Sequence, residues 1–309
     1  MLYNFGNTYI YNLMSRKRIA FIINPNSGSN RSTNRADIVR KLMPADAECS
    51  VFEWNIIEDR DRIFTEVVNG NFDIAVAVGG DGTVSQLAHA LCGTQTALGI
   101  LPFGSGNGLA RHIGIPMNTA AAMQVIARGQ TATMDRGIIN GNSFFCTAGT
   151  GFDARIGKLF ATSTKRGFWT YAKITLRELS NYTPETCTVT VDGKSHQHNA
   201  FLITIANAGQ YGNNAWIAPE AKVNDGILNV SVLNRFGWWQ VPALVWRMFG
   251  KSIQHSGVVS TYSGKKISIE RPASGPTHHD GEPAELDAKL EAEVEAGVLK
   301  VVVSAGFKG

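Results

Sequence analysis

The run Ile74-Ala75-Val76-Ala77-Val78 passes without a spacer into Gly79-Gly80-Asp81-Gly82-Thr83, and then into Val84, Leu87, Ala88 and Leu91 at helical spacing. A continuous apolar run of this length predicts a parallel strand covered on both faces. The glycines allow a sharp turn and a close approach of backbone to ligand. Thr83 is expected to cap the helix that follows, whose free N–H groups would point at an anion. Asp81 is out of place in such a cradle, because a carboxylate about 4 Å from a phosphate is repelled by roughly 1 kcal/mol even at water's dielectric. A divalent cation between them reverses the sign. Two readings stand at this point: a nucleotide site that uses Mg²⁺, and an ordinary strand-to-helix turn. On the first, Asp81→Asn is expected to remove the charge that holds the metal while hardly moving the thermal midpoint.

The same unit recurs. A strand over 18–24 leads into the polar turn Pro25-Asn26-Ser27-Gly28, and strands near 49–54, 73–78 and 97–101 alternate with helices near 59–68, 84–91 and 107–112. That alternation predicts a parallel α/β sheet. Pro102-Phe103-Gly104-Ser105-Gly106-Asn107-Gly108 supplies a third glycine turn. Open parallel sheets bind ligands along the carboxyl ends of their strands, so three such loops argue for a nucleotide more strongly than one. None fits the dinucleotide fingerprint, the Walker loop or the protein-kinase signatures.

Beyond a helix at 119–128 the pattern becomes a succession of short strands, which predicts a mostly antiparallel β domain with helical insertions at 153–182 and 238–249. Since 309 residues is long for one core, two domains are expected, an α/β nucleotide-binding domain over 1–135 and a β-sandwich over 136–309. Near the end, Thr277-His278-His279-Asp280-Gly281-Glu282-Pro283 sets two carboxylates around a glycine and reads as too polar for a sheet interior. It is either a solvated hairpin turn or a second acidic group facing the cleft. His278-His279 has no third metal ligand nearby. The four cysteines are scattered, which indicates neither disulfides nor zinc and fits a cytoplasmic setting. A net charge of +4 without a basic run does not call for nucleic acid. No apolar run reaches the ~18 residues of a membrane span, and nothing indicates a homo-oligomer. Residues 1–13 read as an extension ahead of the first strand.

These motifs, in this order, resemble the diacylglycerol kinase catalytic-domain family, which includes bacterial lipid kinases and sphingosine kinases. The resemblance runs from about Lys17 to the end. It rests on Asn24-Pro25-Asn26-Ser27-Gly28, Gly79-Gly80-Asp81-Gly82-Thr83, Pro102-Phe103-Gly104-Ser105-Gly106-Asn107, Gly149-Thr150-Gly151-Phe152-Asp153-Ala154, Ala218-Pro219-Glu220-Ala221 with Asp225-Gly226, and Asp280-Gly281-Glu282. It implies ATP held between an α/β domain and a β-sandwich, with Mg²⁺ assisting transfer of the γ-phosphoryl group to a lipid hydroxyl. By the same resemblance Asp81 belongs to the metal and phosphate network, and Asn24, Ser27, Ser105, Asn107 and Glu282 contact nucleotide. Asp280 is implied as the general base and Asp153 as the residue that orients the acceptor. Lys165 and Arg166 either reach phosphates or line a solvated helix. Asn107-Gly108 replaces the Asn-Asp of many bacterial members, which leaves the acceptor open between a diacylglycerol-like lipid and a sphingoid base. The alternatives are an NAD kinase-like phosphotransferase, which accounts for Asp81 but not for Asp280-Gly281-Glu282, and a catalytically silent nucleotide-binding regulator.

The acceptor is expected to come from a membrane surface, as peripheral contact. Arg235-Phe236-Gly237-Trp238-Trp239 and the helix through Trp246 and Phe249 to Lys251 form an amphipathic stretch too short to span, flanked by cations. Trp238 and Trp239 are expected at the surface, Trp246 and Phe249 rather in the core.

Overall fold

The computed structural model describes residues 16–25, 34–54, 56–162, 168–179, 181–307 and 309. The chain begins with β1 (Arg18–Ile23), α1 (Arg35–Leu42), β2 (Glu48–Glu53), α2 (Ile57–Asn69), β3 (Ile74–Gly79), α3 (Asp81–Leu91), β4 (Ala97–Pro102), α4 (Gly108–His112), α5 (Thr119–Arg128) and β5 (Thr131–Ile139). β1 to β4 form a parallel sheet in the order β2-β1-β3-β4. Every residue of β3 and β4 is buried, as their apolar runs predict, because helices cover both faces. Registering Val78 on Leu101 and Ile23 on Val78 brings the carboxyl ends of β1, β3 and β4 side by side. The three loops therefore leave the sheet along one edge.

The second half contains β6 (Asn142–Phe144), β7 (Thr147–Gly151), α6 (Phe152–Ala161), α7 (Phe168–Leu179), β8 (Glu185–Val191), β9 (Lys194–Ala206), β10 (Gln210–Gly212), β11 (Ala215–Trp216) and β12 (Leu228–Asn234). A 3₁₀ turn (Trp238–Gln240), α8 (Val241–Phe249) and a second 3₁₀ turn (Ile253–His255) follow. The chain closes with β13 (Val259–Gly264), β14 (Lys266–Glu270), β15 (Gly275–His279), β16 (Glu282–Leu286) and β17 (Lys289–Val302). The pairings among β7, β8, β9, β12, β13, β14, β15 and β16 are antiparallel. A core of Phe144, Val189, Ile203, Ile205, Val230, Ile269 and Leu290 fills this half. β17 ties the halves together: it pairs with β14 and β5, and Val301 meets Leu98 of β4.

Three sequence expectations change. β9, with 13 residues, and β17, with 14, exceed the short strands expected of this half, because each begins with largely exposed residues ahead of its apolar end. Helix α3 begins at Asp81 with Gly80 as its N-cap, so Thr83 lies inside the first turn and does not cap it. The polar segment 277–283 is a hairpin whose first strand enters the sheet interior, which its polarity had argued against. Thr277 and His278 are buried in β15, where His278 stands opposite Gly149 of β7 and occupies the space that a side chain there would fill.

Candidate active site

Gly79 exists because of Thr83: a Cβ at Gly79 would lie 2.5 Å from the Thr83 hydroxyl. The Asn24 amide donates to that same hydroxyl at 3.1 Å, which ties the end of β1 to the second loop. Asn26, Ser27 and Gly28 lie outside the described residues, as do Lys165 and Arg166. Pro25 follows Asn24 at the sheet edge. Arg35, which sequence reading passed over, is buried; its guanidinium donates to the Asn24 carbonyl and sits 5.4 Å from the centre of the Phe103 ring.

The second and third loops meet glycine on glycine. A Cβ on Gly104 would come within 2.7 Å of the Gly80 Cα. Asn107 holds the third loop closed by accepting from the Gly104 N–H at 3.0 Å and donating to its carbonyl at 2.8 Å. Its left-handed backbone, φ 52°, is one that Asn tolerates better than most residues. Asp81 then reaches across: its Oδ2 accepts from the Asn107 N–H at 2.9 Å and its Oδ1 from the Gly108 N–H at 2.7 Å. Only glycine fits at 106, where a Cβ would stand 2.8 Å from Asp81 Oδ2. Burial pushes the Asp81 carboxyl above its ordinary range, against the pull of the Gly108, Asn107 and Asp81 amides and the Arg111 charge. Arg111 also donates to the Gly106 carbonyl at 3.1 Å, so a cation stands beside the third loop.

This arrangement suits a phosphate carrying its own metal. The first-turn amides of α3 have no partners within the helix and favour an anion. Among the described residues no three His, Cys, Asp or Glu side chains gather as a metal site. Mg²⁺ arriving on a nucleotide needs only one or two protein carboxylates beside phosphate oxygens and water. The amide donors leave lone pairs free on the Asp81 carboxylate, which fits that donor set.

Asp280 and Gly281, with φ of 49° and 82°, form the two-residue turn joining β15 to β16, as expected of an Asp-Gly hairpin. Gly281 is exposed, but the Asp280 side chain turns inward. The Asp280 carboxylate accepts from the N–H groups of Phe145 at 2.9 Å, Cys146 at 2.7 Å and Thr147 at 3.2 Å, and from the Ser85 hydroxyl at 2.8 Å. Burial pushes this carboxyl up, while those donors pull it back. Ser85 lies on α3 one turn beyond Asp81, so one helix carries both carboxylate sites. Glu282, at the start of β16, lies over Gly82, whose added Cβ would be 3.3 Å from its Oε1. Beside Ser85 and Glu282 a cleft of about 280 Å³ opens between the halves, walled by Arg60, Gln86, His89, Ser143 and His279.

Asp153, in the first turn of α6, is joined to the same hairpin through His278. Its Oδ2 accepts from the Tyr211 hydroxyl at 2.8 Å and from His278 Nε2 at 3.1 Å, and Thr204 Oγ1 lies against the Tyr211 hydroxyl. Asp81, Thr83, Gly104, Asn107, Asp280 and Glu282 thus come together around α3, with Asp153 one hydrogen bond removed from the Asp280 strand; among the described residues no side-chain hydrogen bond ties Ser105 to them. Sequence reading missed Ser85, Arg35, Arg111 and Tyr211. Ser85 could have been found from its spacing, since it follows Asp81 by one helical turn.

The chain matches the diacylglycerol kinase catalytic domain over residues 18–139 and the YegS C-terminal NAD kinase β-sandwich-like domain over residues 146–303. A Klebsiella pneumoniae protein named YegS-like lipid kinase is 32% identical over 191 residues, which is 60% of this chain and 64% of that relative. The chain thus spans less than two thirds of that protein's length. A Mycobacterium tuberculosis diacylglycerol kinase is 27% identical over 88% of this chain and 92% of its own. Among solved structures, a diacylglycerol kinase from Bacillus anthracis superposes with a TM-score of 0.74 at 20% identity, covering 95% of this chain and 98% of that one. An NAD kinase from Archaeoglobus fulgidus in complex with ATP reaches 0.50 at 14% identity, covering 92% and 93%. Both structural likenesses concern the fold.

Proposed function

The chain belongs to the diacylglycerol kinase catalytic-domain family of kinase phosphotransferases, and from that premise we propose that it transfers the γ-phosphoryl group of ATP to a lipid hydroxyl, with Mg²⁺ on the nucleotide. The acceptor is a diacylglycerol-like lipid or a sphingoid base. The observation that carries this reading is the position of Ser85, which links the helix of the glycine loops to the buried carboxylate of Asp280. Phosphate cradle and acceptor-side base are thereby held by one rigid element.

Phosphoryl transfer asks a protein mainly for positioning and charge neutralisation. The α3 amino terminus and the clasped second and third loops orient the β- and γ-phosphates, with Arg111 adding positive charge at the loop. Bound Mg²⁺ would neutralise the phosphate oxygens, and Asp81 is the carboxylate that would hold it. Asp280 takes the proton of the acceptor hydroxyl as the oxygen attacks phosphorus. Asp153, fixed by Tyr211 and His278, accepts a hydrogen bond from the acceptor's polar head. Glu282 contacts the nucleotide beside Gly82.

Phosphorus-detected turnover of ATP against diacylglycerol, sphingosine and NAD tests the proposal. Phosphorylation of a lipid and not of NAD is expected. Phosphorylation of NAD alone, or ATP binding with no acceptor turned over, would replace it by one of the two other readings.

A further inference from the structure

Eight large apolar side chains stand exposed among the described residues, and five of them fall within 238–249: Trp238 at 62%, Trp239 at 82%, Val245 at 44%, Trp246 at 81% and Phe249 at 50%. This is a patch and not scatter, and soluble proteins rarely expose one without a use for it. It also corrects the sequence expectation for Trp246 and Phe249, which do not enter the core. The physical reason lies in α8, which is fastened by Leu244 as its one buried residue and turns its other apolar face outward.

The rings stand on a fixed platform. Before the patch, Phe236 packs on Phe201 with ring centroids 4.8 Å apart, inside the apolar cluster that includes Phe152, the neighbour of Asp153. Gln240 Oε1 accepts from the Gly237 N–H at 2.8 Å and sets the turn. After the patch, Ile253 is buried, and the Lys251 ammonium lies 4.0 Å from the centre of the Trp216 ring. β11, which carries Trp216, pairs with β10, and Gly212 of β10 packs on Gly106 of the third loop. The patch is therefore rooted both beside Asp153 and behind the third glycine loop.

Its charge has one sign. From Ile227 to Ile269 the sequence holds no Asp or Glu, while Arg235, Arg247, Lys251, Lys265 and Lys266 fall in that interval. Residues 238–249 extend about 18 Å as helix, short of the ~30 Å needed to cross a bilayer. Indole rings on an outward face, in a stretch of chain that carries cations and no carboxylate, match the headgroup region of an anionic membrane.

The geometry points to the 238–249 face as the surface that docks, in the plane of the interface, onto an anionic lipid bilayer, so that the acceptor reaches Asp153 and Asp280 without leaving the membrane. The delivery rests on the lipid-kinase reading above; the docking does not. The full chain would be sedimented with phosphatidylglycerol–phosphatidylcholine vesicles and with phosphatidylcholine alone, beside W238A/W239A/W246A, Trp239→Glu and R235Q/K251Q. All these side chains are exposed or half-exposed, so folding should persist; Trp239→Glu keeps the test open if the triple variant does not fold. The wild type is expected to bind the anionic vesicles and to show quenching of its Trp emission by brominated acyl chains. The triple variant should bind about ten-fold more weakly or worse, Trp239→Glu should also bind less, and R235Q/K251Q should lose only the anionic preference. Turnover of a short-chain, water-soluble diacylglycerol should be unchanged in the triple variant while turnover of vesicle lipid falls. Vesicle binding equal to wild type in the triple variant or in Trp239→Glu overturns the assignment. So does conversion of a wild-type dimer to monomer by the triple variant without any change on vesicles, which would make the face a contact between copies. If the wild type binds vesicles through these rings but phosphorylates no lipid, the kinase reading fails and the surface stands.

Discussion

Ser85 and Asp280, 195 positions apart in the chain, are joined by a 2.8 Å hydrogen bond from the serine hydroxyl to the aspartate carboxylate. Each Asp280 oxygen has two donors: Oδ2 receives Ser85 and the Phe145 N–H, and Oδ1 receives the Cys146 and Thr147 N–H groups. A carboxylate offers about four lone-pair positions, so this one is full. It can accept a proton from an acceptor hydroxyl only if one donor leaves, and Ser85 is the donor that a side-chain rotation can remove. Ser85→Ala is therefore expected to keep kcat within a few-fold, the acceptor hydroxyl occupying the vacated position. A fall of about 10² or more would mean that the proton travels through the Ser85 hydroxyl instead.

Asp280→Asn should lower kcat by roughly 10²–10⁴ while ATP affinity stays within a few-fold. It should also lower the melting temperature. The new amide group points N–H bonds at two of the donors that the carboxylate satisfied, and each unsatisfied buried donor costs about 1–3 kcal/mol. Kinetics at saturating ATP, a nucleotide titration and a thermal melt read the three effects separately. Weak ATP binding with normal kcat would put Asp280 in the nucleotide site.

Asp81→Asn carries a similar double cost, which the sequence alone did not reveal. The carboxylate clasps the third loop through the Asn107 and Gly108 N–H groups, and an amide can accept from only one of them. Turnover is expected to fall by orders of magnitude, and stability by about 1–3 kcal/mol. An unmoved thermal midpoint would show that the two amides find other partners and that the clasp is dispensable.

The parallel sheet was legible because β3 and β4 are short apolar runs bounded by glycine turns, the pattern of a strand covered on both faces. The three loops were legible because their glycines recur at strand ends. What escaped was the set of long-range partnerships: Ser85 with Asp280, Arg35 with Asn24, and Asp153 with Tyr211 and His278. Apart from the helical spacing of Ser85 from Asp81, none has a local signal, since each partner is an ordinary polar residue until the fold brings the other to it. The polar strand at 275–279 was misread for the same reason, because His278 is tolerated inside the sheet only by virtue of Asp153 on another element.

Gly104→Ala tests the contact between the second and third loops. The added methyl would lie 2.7 Å from both the Gly80 Cα and Asn107 Oδ1, and the first of these is backbone that cannot swing aside. The loops must separate, and the expected result is at least about ten-fold weaker ATP binding, with the acceptor KM little changed. Calorimetric titration of ATP into the variant checks this. Wild-type affinity would mean that nucleotide does not depend on the spacing of these loops.

His112 makes the stability of the third-loop region depend on pH. Its half-buried imidazole lies on the helix that follows the third loop, where Nδ1 accepts from the Gly209 N–H at 3.1 Å and the ring lies 5.8 Å from that of Trp216. Burial, with a smaller push from Lys251, lowers its pKa to about 4 from the usual 6.5. The folded chain thus keeps this histidine neutral in a range where the unfolded chain protonates it. Its contribution to stability is complete above pH 6.5 and is lost as pH falls toward 4, by about 3 kcal/mol in all. His112→Asn preserves an acceptor for the Gly209 N–H but does not titrate. At pH 7.5 the variant should melt below the wild type because it fills less space against Trp216, and the gap should narrow steadily as pH drops to 4.5. Melts of both proteins across that range cancel the common effect of the carboxylates. Parallel curves would mean that His112 takes up its proton at the same pH in the folded and the unfolded chain, so that its surroundings do not hold it neutral.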